Sequence, residues 1–183
     1  VEKTHEKERF LGIIQKHVNR LNAIVEDLLA LSRIEQEDES KEIKFEKVNL
    51  ADVFNAAIQL CRPKAEEKKI RIDLDCEKNA TAIFDPALIE QAVVNLLDNA
   101  IKFTQKGKVT LRGEILKKSG RKIKLKFSIE DTGCGISEKL KEKLFLPFSQ
   151  IKNDFSHNCP GTGLGLVISK KLVELMGGKI DFC

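Results

Sequence analysis

Residues 6–35, EKERFLGIIQKHVNRLNAIVEDLLALSRIE, contain no proline and a single glycine, Gly12. Within them Phe10, Ile13, Ile14, Val18, Leu21, Ile24, Val25, Leu28, Leu29 and Leu31 recur at three- and four-residue spacing. Residues so spaced share one face of an α-helix, and Lys16, Arg20, Glu26 and Asp27 fill much of the other side. One long amphipathic helix follows, and it is not stable alone in water with that stripe exposed. The rest of the chain, a further helix or a second copy must cover it, in bundle-like packing. The charged stretch QEDESKEI at 36–43 reads as a linker. The chain therefore divides into a helical segment, residues 1–38, and a domain, residues 39–183.

The second part mixes the two periods. KFEKVNL reads as a short strand, with Asn49 placed to cap a helix from about Leu50 to Lys68 that Pro63 should kink or interrupt. KIRIDLDC alternates, with Ile70, Ile72, Leu74 and Cys76 on one face, and TAIFD reads as another strand. Pro86, following Asp85, opens a helix whose apolar face runs through Leu88, Ile89, Ala92, Val93, Leu96, Leu97 and Ile101. KVTLRGEIL and KIKLKFSIED flank KKSGR as a hairpin. A short helix is expected at 137–144 and a longer one from about Gly163 to Met176, stopped by Gly177-Gly178. KIDF reads as the start of a last strand. The expected fold class is α+β, with helices on one face of a mixed sheet.

Composition removes several functions. Lys and Arg exceed Asp and Glu by 32 − 28 = 4, and the excess is spread through mixed-charge segments. Nucleic-acid binding needs basic residues concentrated on one face, and with no Trp, no Tyr and 5% aromatics there is little to stack on bases. The five cysteines form no C-x-x-C pair and are odd in number, which argues against a zinc site or a disulfide framework and for a reducing compartment. No run approaches the ~20 apolar residues of a membrane span. The chain reads as an excised piece of a longer protein.

Three stretches carry chemistry. In NLLDNA, Asn95 and Asn99 are four apart and share a helix face. They are either ordinary helix carboxamides or a face that offers a carbonyl oxygen to Mg²⁺, which prefers oxygen ligands; Lys102 stays on the same side. In EDTGCGI, Asp131 stands where an alternating strand stops, and Gly133 and Gly135 permit close approach or positive φ. That stretch is either an Asx-type turn or a place where Asp131 accepts from a buried ligand group. In NCPGTGLGLVISKK, Gly161, Gly163 and Gly165 alternate at the mouth of a helix. No strand precedes them, so a dinucleotide fingerprint fails; Leu166 follows Gly165, so a Walker loop fails. A lid that closes over phosphates at a helix N-terminus remains.

In this order the stretches resemble the ATP-binding half of sensor histidine kinases. NLLDNAIKFT is similar to the family's N box, DTGCGI to its first glycine box, LFLPF to its F box and GTGLGLVISKKLVELMGG to its second glycine box. RLNAIVEDLLALSRIE resembles the second helix of the dimerisation and phosphotransfer hairpin. The resemblance covers nearly the whole chain. It implies the mixed-sheet α/β sandwich of the histidine-kinase and gyrase-type ATPases, with the nucleotide between helices and a lid. It implies ATP and Mg²⁺ as cofactors, with Asn99 on the metal, Asn95 beside it and Lys102 on a phosphate. Asp131 would accept from the adenine amino group, and Gly133 and Gly135 would make room for the ring. Gly161, Thr162, Gly163, Leu164 and Gly165 would cradle the phosphates, and Phe145 and Phe148 would anchor the lid. The implied activity is transfer of the γ-phosphoryl of ATP to a histidine and then to an aspartate of a response-regulator receiver domain. The implied assembly is a homodimer through the 1–38 helix, on the cytoplasmic side of a parent that can be membrane-anchored.

The chain departs from that family in two places. His5 begins HEKERF but lacks the proline that follows the family's acceptor, so it is expected in the turn entering the helix, and the phosphoacceptor is expected to be missing. His17 reads as a packing or surface residue and His157 as a lid residue. The closing strands beyond GGKI are also expected to be absent. Three readings stand beside the kinase, one of them a response-regulator phosphatase role that the resemblance also implies and whose residues would lie on the missing helix. An ATP-hydrolysing relative of the same fold places a Glu where Asn95 stands, and Asn is a poor general base. A non-catalytic dimerisation and signalling module would have no use for Asn99, Asp131 and the lid glycines.

Overall fold

A computed structural model of the chain describes residues 2–40, 43–77, 80–119, 122–149 and 162–182. Helix α1 spans Glu2–Ser40, strand β1 Glu46–Asn49, helix α2 Leu50–Glu67, strands β2 and β3 Arg71–Cys76 and Thr81–Phe84, and helix α3 Pro86–Phe103. The hairpin β4, Lys108–Ser119, and β5, Lys122–Asp131, follows, then the short α4, Glu138–Lys141, and α5, Gly165–Leu175.

The strands form two sheets, β1-β3 and the mixed β2-β4-β5. β1 pairs antiparallel with β3, and β2 runs parallel to β4, which pairs antiparallel with β5. The parallel step from β2 to β4 is the crossover that carries α3 over the sheet. α2 and α3 bury Phe54, Ala57, Val93 and Leu97 against Val109 and Leu111 of β4. A second core joins Leu164, the N-cap of α5, and Ile168 and Leu172 of that helix to Ala92 of α3 and Ile34 of α1. The order outward from the mixed sheet is thus α2 and α3, then α5, with the end of α1 against α5.

Local chemistry sets the helix starts. Asn49 Oδ1 accepts from the Ala51 N–H at 3.0 Å to cap α2. Asp85 Oδ1 accepts from the Ala87 and Leu88 N–H groups at 3.0 and 3.2 Å, with Pro86 at the first helical position of α3. α5 ends as expected: Gly177 takes φ +72°, and the Gly177 and Gly178 N–H groups donate to the Glu174 and Val173 carbonyls.

Five expectations are corrected. Pro63 does not interrupt α2; Gln59, whose carbonyl loses its amide partner there, is solvent-exposed like Pro63, so water can take the amide's place. α1 continues through most of the charged 36–43 stretch, to Ser40, and includes His5, which is helical rather than in an entering turn. The 137–144 helix is a single turn, because the N–H groups of Lys143, Leu144 and Leu146 donate three residues back and tighten the chain into turns. Residues 179–182 form no strand, since among the described residues no strand pairs with them; Phe182 instead stacks on Phe145, centroids 6.0 Å apart. His157, Cys159, Gly161 and Cys183 lie outside the described residues.

Most of the α1 stripe is open to solvent in the single chain. Phe10 and Leu11 are each 64% exposed and Leu21 60%, while Ile34 is 5% exposed under α5. Of the three covers expected for the stripe, the rest of the chain supplies one only near the end of α1, where Ile34 packs with α5.

Candidate functional site

The site lies where α3 faces the start of α5. Asn95 and Asn99 are both half-buried on α3. The carboxamide of Asn99 reaches α5: a Cβ built on Gly165 would lie 3.7 Å from Asn99 Nδ2. A longer side chain at the first residue of α5 would therefore occupy the space between that carboxamide and the helix N-terminus.

Two devices fix that N-terminus. Gly163 takes φ +78°, and a Cβ there would come within 2.9–3.0 Å of the Phe148 backbone and the Ser149 carbonyl. Only glycine satisfies both conditions. Thr162 Oγ1 then accepts from the Leu164 N–H at 3.2 Å, and Leu164 is buried, so its place in the set is as a core plug. Ser169, which sequence reasoning passed over, donates from Oγ to the Gly165 carbonyl at 2.9 Å, with the Ala92 carbonyl at 3.4 Å. That buried hydroxyl ties the first turn of α5 to α3. Its one signal in the sequence was a lone hydroxyl four residues past Gly165 on an apolar helix face.

The turn after β5 supplies the other wall. Asp131 Oδ1 accepts from the Gly133 N–H at 2.8 Å, the Asx-type arrangement. Gly133 is required by the protein's own packing, since a Cβ would sit 2.7 Å from the Phe103 carbonyl at the end of α3. The glycine that was to make room for a ring is thus first a contact between this turn and α3. Gly135 takes φ +67° with open space around its α-carbon. Asp131 itself is exposed, and its Oδ2 remains able to accept from a ligand.

Three expected residues are placed differently from the simplest picture. Lys102 is half-buried with its ammonium 4.9 Å over the Phe103 ring. Phe145 is half-buried, stacked on Phe182 and covered by the Lys170 ammonium at 5.6 Å. The Phe148 ring is 58% exposed, and it is the Phe148 backbone, at φ +59°, that packs on Gly163. Phe145 therefore connects to α5 through Lys170, and Phe148 connects to the start of α5 through its main chain. Asn95, Asn99, the 131–135 turn and the 162–165 start of α5 converge on α3, whereas the Phe148 ring is largely exposed. Gly161 lies outside the described residues.

The sequence profile of the histidine kinase-, DNA gyrase B- and HSP90-like ATPases matches residues 84–183, more than half of the chain. The chain belongs to that family. Relatives that it matches at 34% identity are named sensor or signal transduction histidine kinases, among them BarA of Escherichia coli. It is 34% identical over 175 residues to the sensor histidine kinase GacS of Pseudomonas protegens, a match covering 93% of this chain and 19% of GacS. The chain thus spans about a fifth of the length of the curated relatives it matches. Among solved structures it is similar to full-length ShkA in complex with AMPPNP, with TM-score 0.73 and 26% identity over 94% of this chain and 34% of that one. It is also similar to the histidine kinase ThkA in complex with the response regulator protein TrrA, with TM-score 0.69 and 27% identity over 94% of this chain and 46% of ThkA. The mixed α/β fold is the one these histidine kinases share.

Proposed function

We propose that this chain is the ATP·Mg²⁺-binding catalytic portion of a sensor histidine kinase. It positions the γ-phosphoryl of ATP for transfer to a histidine, for relay to an aspartate of a receiver domain. The observation that carries the reading is the Asn99 carboxamide lying against Gly165 at the N-terminus of α5, behind a Gly163 that only glycine satisfies. A helix N-terminus offers unpaired N–H groups and a partial positive charge to phosphate oxygens. In this assignment Gly161, Thr162, Gly163, Leu164 and Gly165 form the phosphate cradle, and Asn95 lies beside the phosphates. Asp131 receives the adenine amino group, and open space at Gly135 admits the ring. Lys102, in the last turn of α3, would offer its ammonium to a phosphate.

The donor set fits magnesium rather than a tightly caged metal. Among the described residues no group of three or more His, Cys, Asp and Glu gathers to hold an ion, and Mg²⁺ is commonly held by one or two protein oxygens with the rest from phosphate and water. Asn99 would supply the protein oxygen, and the ion would neutralise charge on the transferred group. Phosphoryl transfer asks the protein mainly for position and charge. This chain gives position through the Ser169 tie and the Gly133–Phe103 contact. Asn95 cannot act as a general base toward water, which favours transfer over hydrolysis.

The same reading assigns residues 1–38 to a dimerisation and phosphotransfer helix and residues 39–183 to the ATP-binding domain. The exposed α1 stripe supports a homodimer, and the ThkA–TrrA complex supports a receiver-domain partner. None of His5, His17 or His157 is assigned as the acceptor; His17 is exposed on α1. Among the described residues no helix is long and apolar enough to cross a membrane, and ATP as donor places the domain on the cytoplasmic side.

Titration with a fluorescent ATP analogue, with and without Mg²⁺, tests the reading. We expect Mg²⁺-assisted binding that is lost in Asn99→Ala and in Asp131→Asn. No binding by the folded wild type refutes it and brings the signalling-module alternative forward. Rapid hydrolysis by the bound protein would instead favour an ATPase relative.

A further inference from the structure

The last turn of α3 is held by a side chain from the end of α2. Lys68, the C-cap of α2, donates from its ammonium to the carbonyls of Ile101 at 2.9 Å, Lys102 at 2.7 Å and Thr104 at 3.4 Å. An ammonium has three donors, and all three meet this one turn. The carbonyls of Ile101 and Lys102 are among those a helix C-terminus leaves without amide partners. A cation there also opposes the negative end of the helix dipole.

The two helix ends in this fold show why the clasp is needed. α5 closes with Gly177 at φ +72° and two main-chain bonds that satisfy its last carbonyls. α3 has no such glycine. Its C-cap, Thr104, is extended at φ −89°, ψ 127°, and its N–H reaches only the Ala100 carbonyl. Farther up the same edge, Lys64 pairs with Asp98 and the Cys61 thiol lies 3.9 Å from the Val94 carbonyl. Residues 61, 64 and 68 of α2 thus meet 94, 98 and 101–102 of α3 in one polar seam between parallel helices. The apolar core fixes α3 as far as Ile101; beyond it the seam ends on Lys68.

That last turn joins two halves of the nucleotide site. It carries Lys102, it follows Asn99, and its Phe103 carbonyl abuts Gly133 of the turn that bears Asp131. We propose that Lys68 is a positioning residue for nucleotide binding, clasping the end of α3 so that Asn99 and Lys102 stand at a fixed distance from Asp131. The proposal rests on the nucleotide-site reading above. Lys68 touches no nucleotide atom in it.

The test uses the full 183-residue chain and equilibrium titration with an ATP analogue and Mg²⁺, beside unfolding curves for each variant. Partners that orient a ligand-binding group commonly contribute about 10-fold or more in affinity, so Lys68→Met should bind about that much more weakly while remaining folded. Lys68→Arg, which keeps a cation and several donors, should recover most of it. Ile58→Val, in the α2 core away from the site, controls for lost stability and should bind as wild type does. If Lys68→Met does not fold, Lys68→Gln, which keeps a donor but loses the charge, is read in its place. Binding by Lys68→Met or Lys68→Gln equal to wild type overturns the positioning role alone. So does an equal loss in Ile58→Val. A folded wild type that does not bind at all overturns the nucleotide site and the role together.

Discussion

Gly163→Ala and Gly135→Ala share one cost and differ in another. Both glycines have positive φ, +78° and +67°. An alanine held there pays roughly 1–2 kcal/mol for the left-handed backbone, partly offset by ~0.4–1 kcal/mol from a less flexible unfolded chain. Gly135 has nothing within 4 Å of its would-be Cβ, so Gly135→Ala should cost about 1 kcal/mol and no more. At Gly163 the Cβ would meet the Phe148 carbonyl carbon at 2.9 Å and the Phe148 Cα and Ser149 oxygen at 3.0 Å. These are main-chain atoms, which cannot swing aside as a side-chain tip can. Overpacking of this kind adds about 1–3 kcal/mol, giving about 2–4 kcal/mol in all. For a chain of this size each kcal/mol moves the midpoint by roughly 2–4 °C. Thermal and urea unfolding of the two variants side by side therefore reads the packing cost as a difference, with backbone strain cancelled. A nucleotide titration on the same samples should find Gly163→Ala impaired, because the forced shift moves the start of α5 against Asn99. Equal destabilisation by the two substitutions would refute the argument that the 146–149 turn is seated on Gly163.

Two further outcomes are expected. Burial, reinforced by the neighbouring Asp98 carboxylate, pushes the Cys61 thiol from an ordinary 9.0 to about 12. The unfolded chain therefore loses this proton first, and stability from Cys61 is intact below pH 9 and declines between pH 9 and about 12, by up to ~1.4 kcal/mol per pH unit. Urea unfolding at pH 8 and pH 10.5 should show a steeper alkaline loss for wild type than for Cys61→Ala, and identical pH dependences would contradict the burial argument. Separately, sedimentation should find the chain self-associating, and Leu21→Glu with Leu28→Glu should abolish that while leaving nucleotide affinity unchanged. A wild type that stays monomeric at high concentration would remove the case for α1 as a dimer seam.

The helices and strands were legible where one physical cause acts locally. Asp85 followed by Pro86 marks the start of α3 because a carboxylate cap and a fixed φ act within four residues. Gly177-Gly178 marks the end of α5 for the same kind of reason. Pro63 misled because whether a lost hydrogen bond matters depends on whether the freed carbonyl at Gln59 reaches water, which is a matter of burial. The end strand at KIDF misled because alternation predicts a face, whereas a strand exists only with a partner beside it.

The candidate site divides in the same way. From the sequence alone came the family resemblance, the pairing of Asn95 with Asn99 on one helix face, glycines at 133 and 135 that permit a close approach or positive φ, and the alternating glycines at the mouth of α5, since spacing and residue type are written along the chain. The tertiary structure alone decided what those residues face. It laid Asn99 against Gly165, drew Lys102 onto Phe103, turned the Phe148 ring outward while seating its main chain on Gly163, and set Lys68 over the end of α3. Each of these contacts joins residues far apart in the chain or selects one side-chain direction among several. Such choices follow from how α2, α3 and α5 pack together, and no local pattern encodes them.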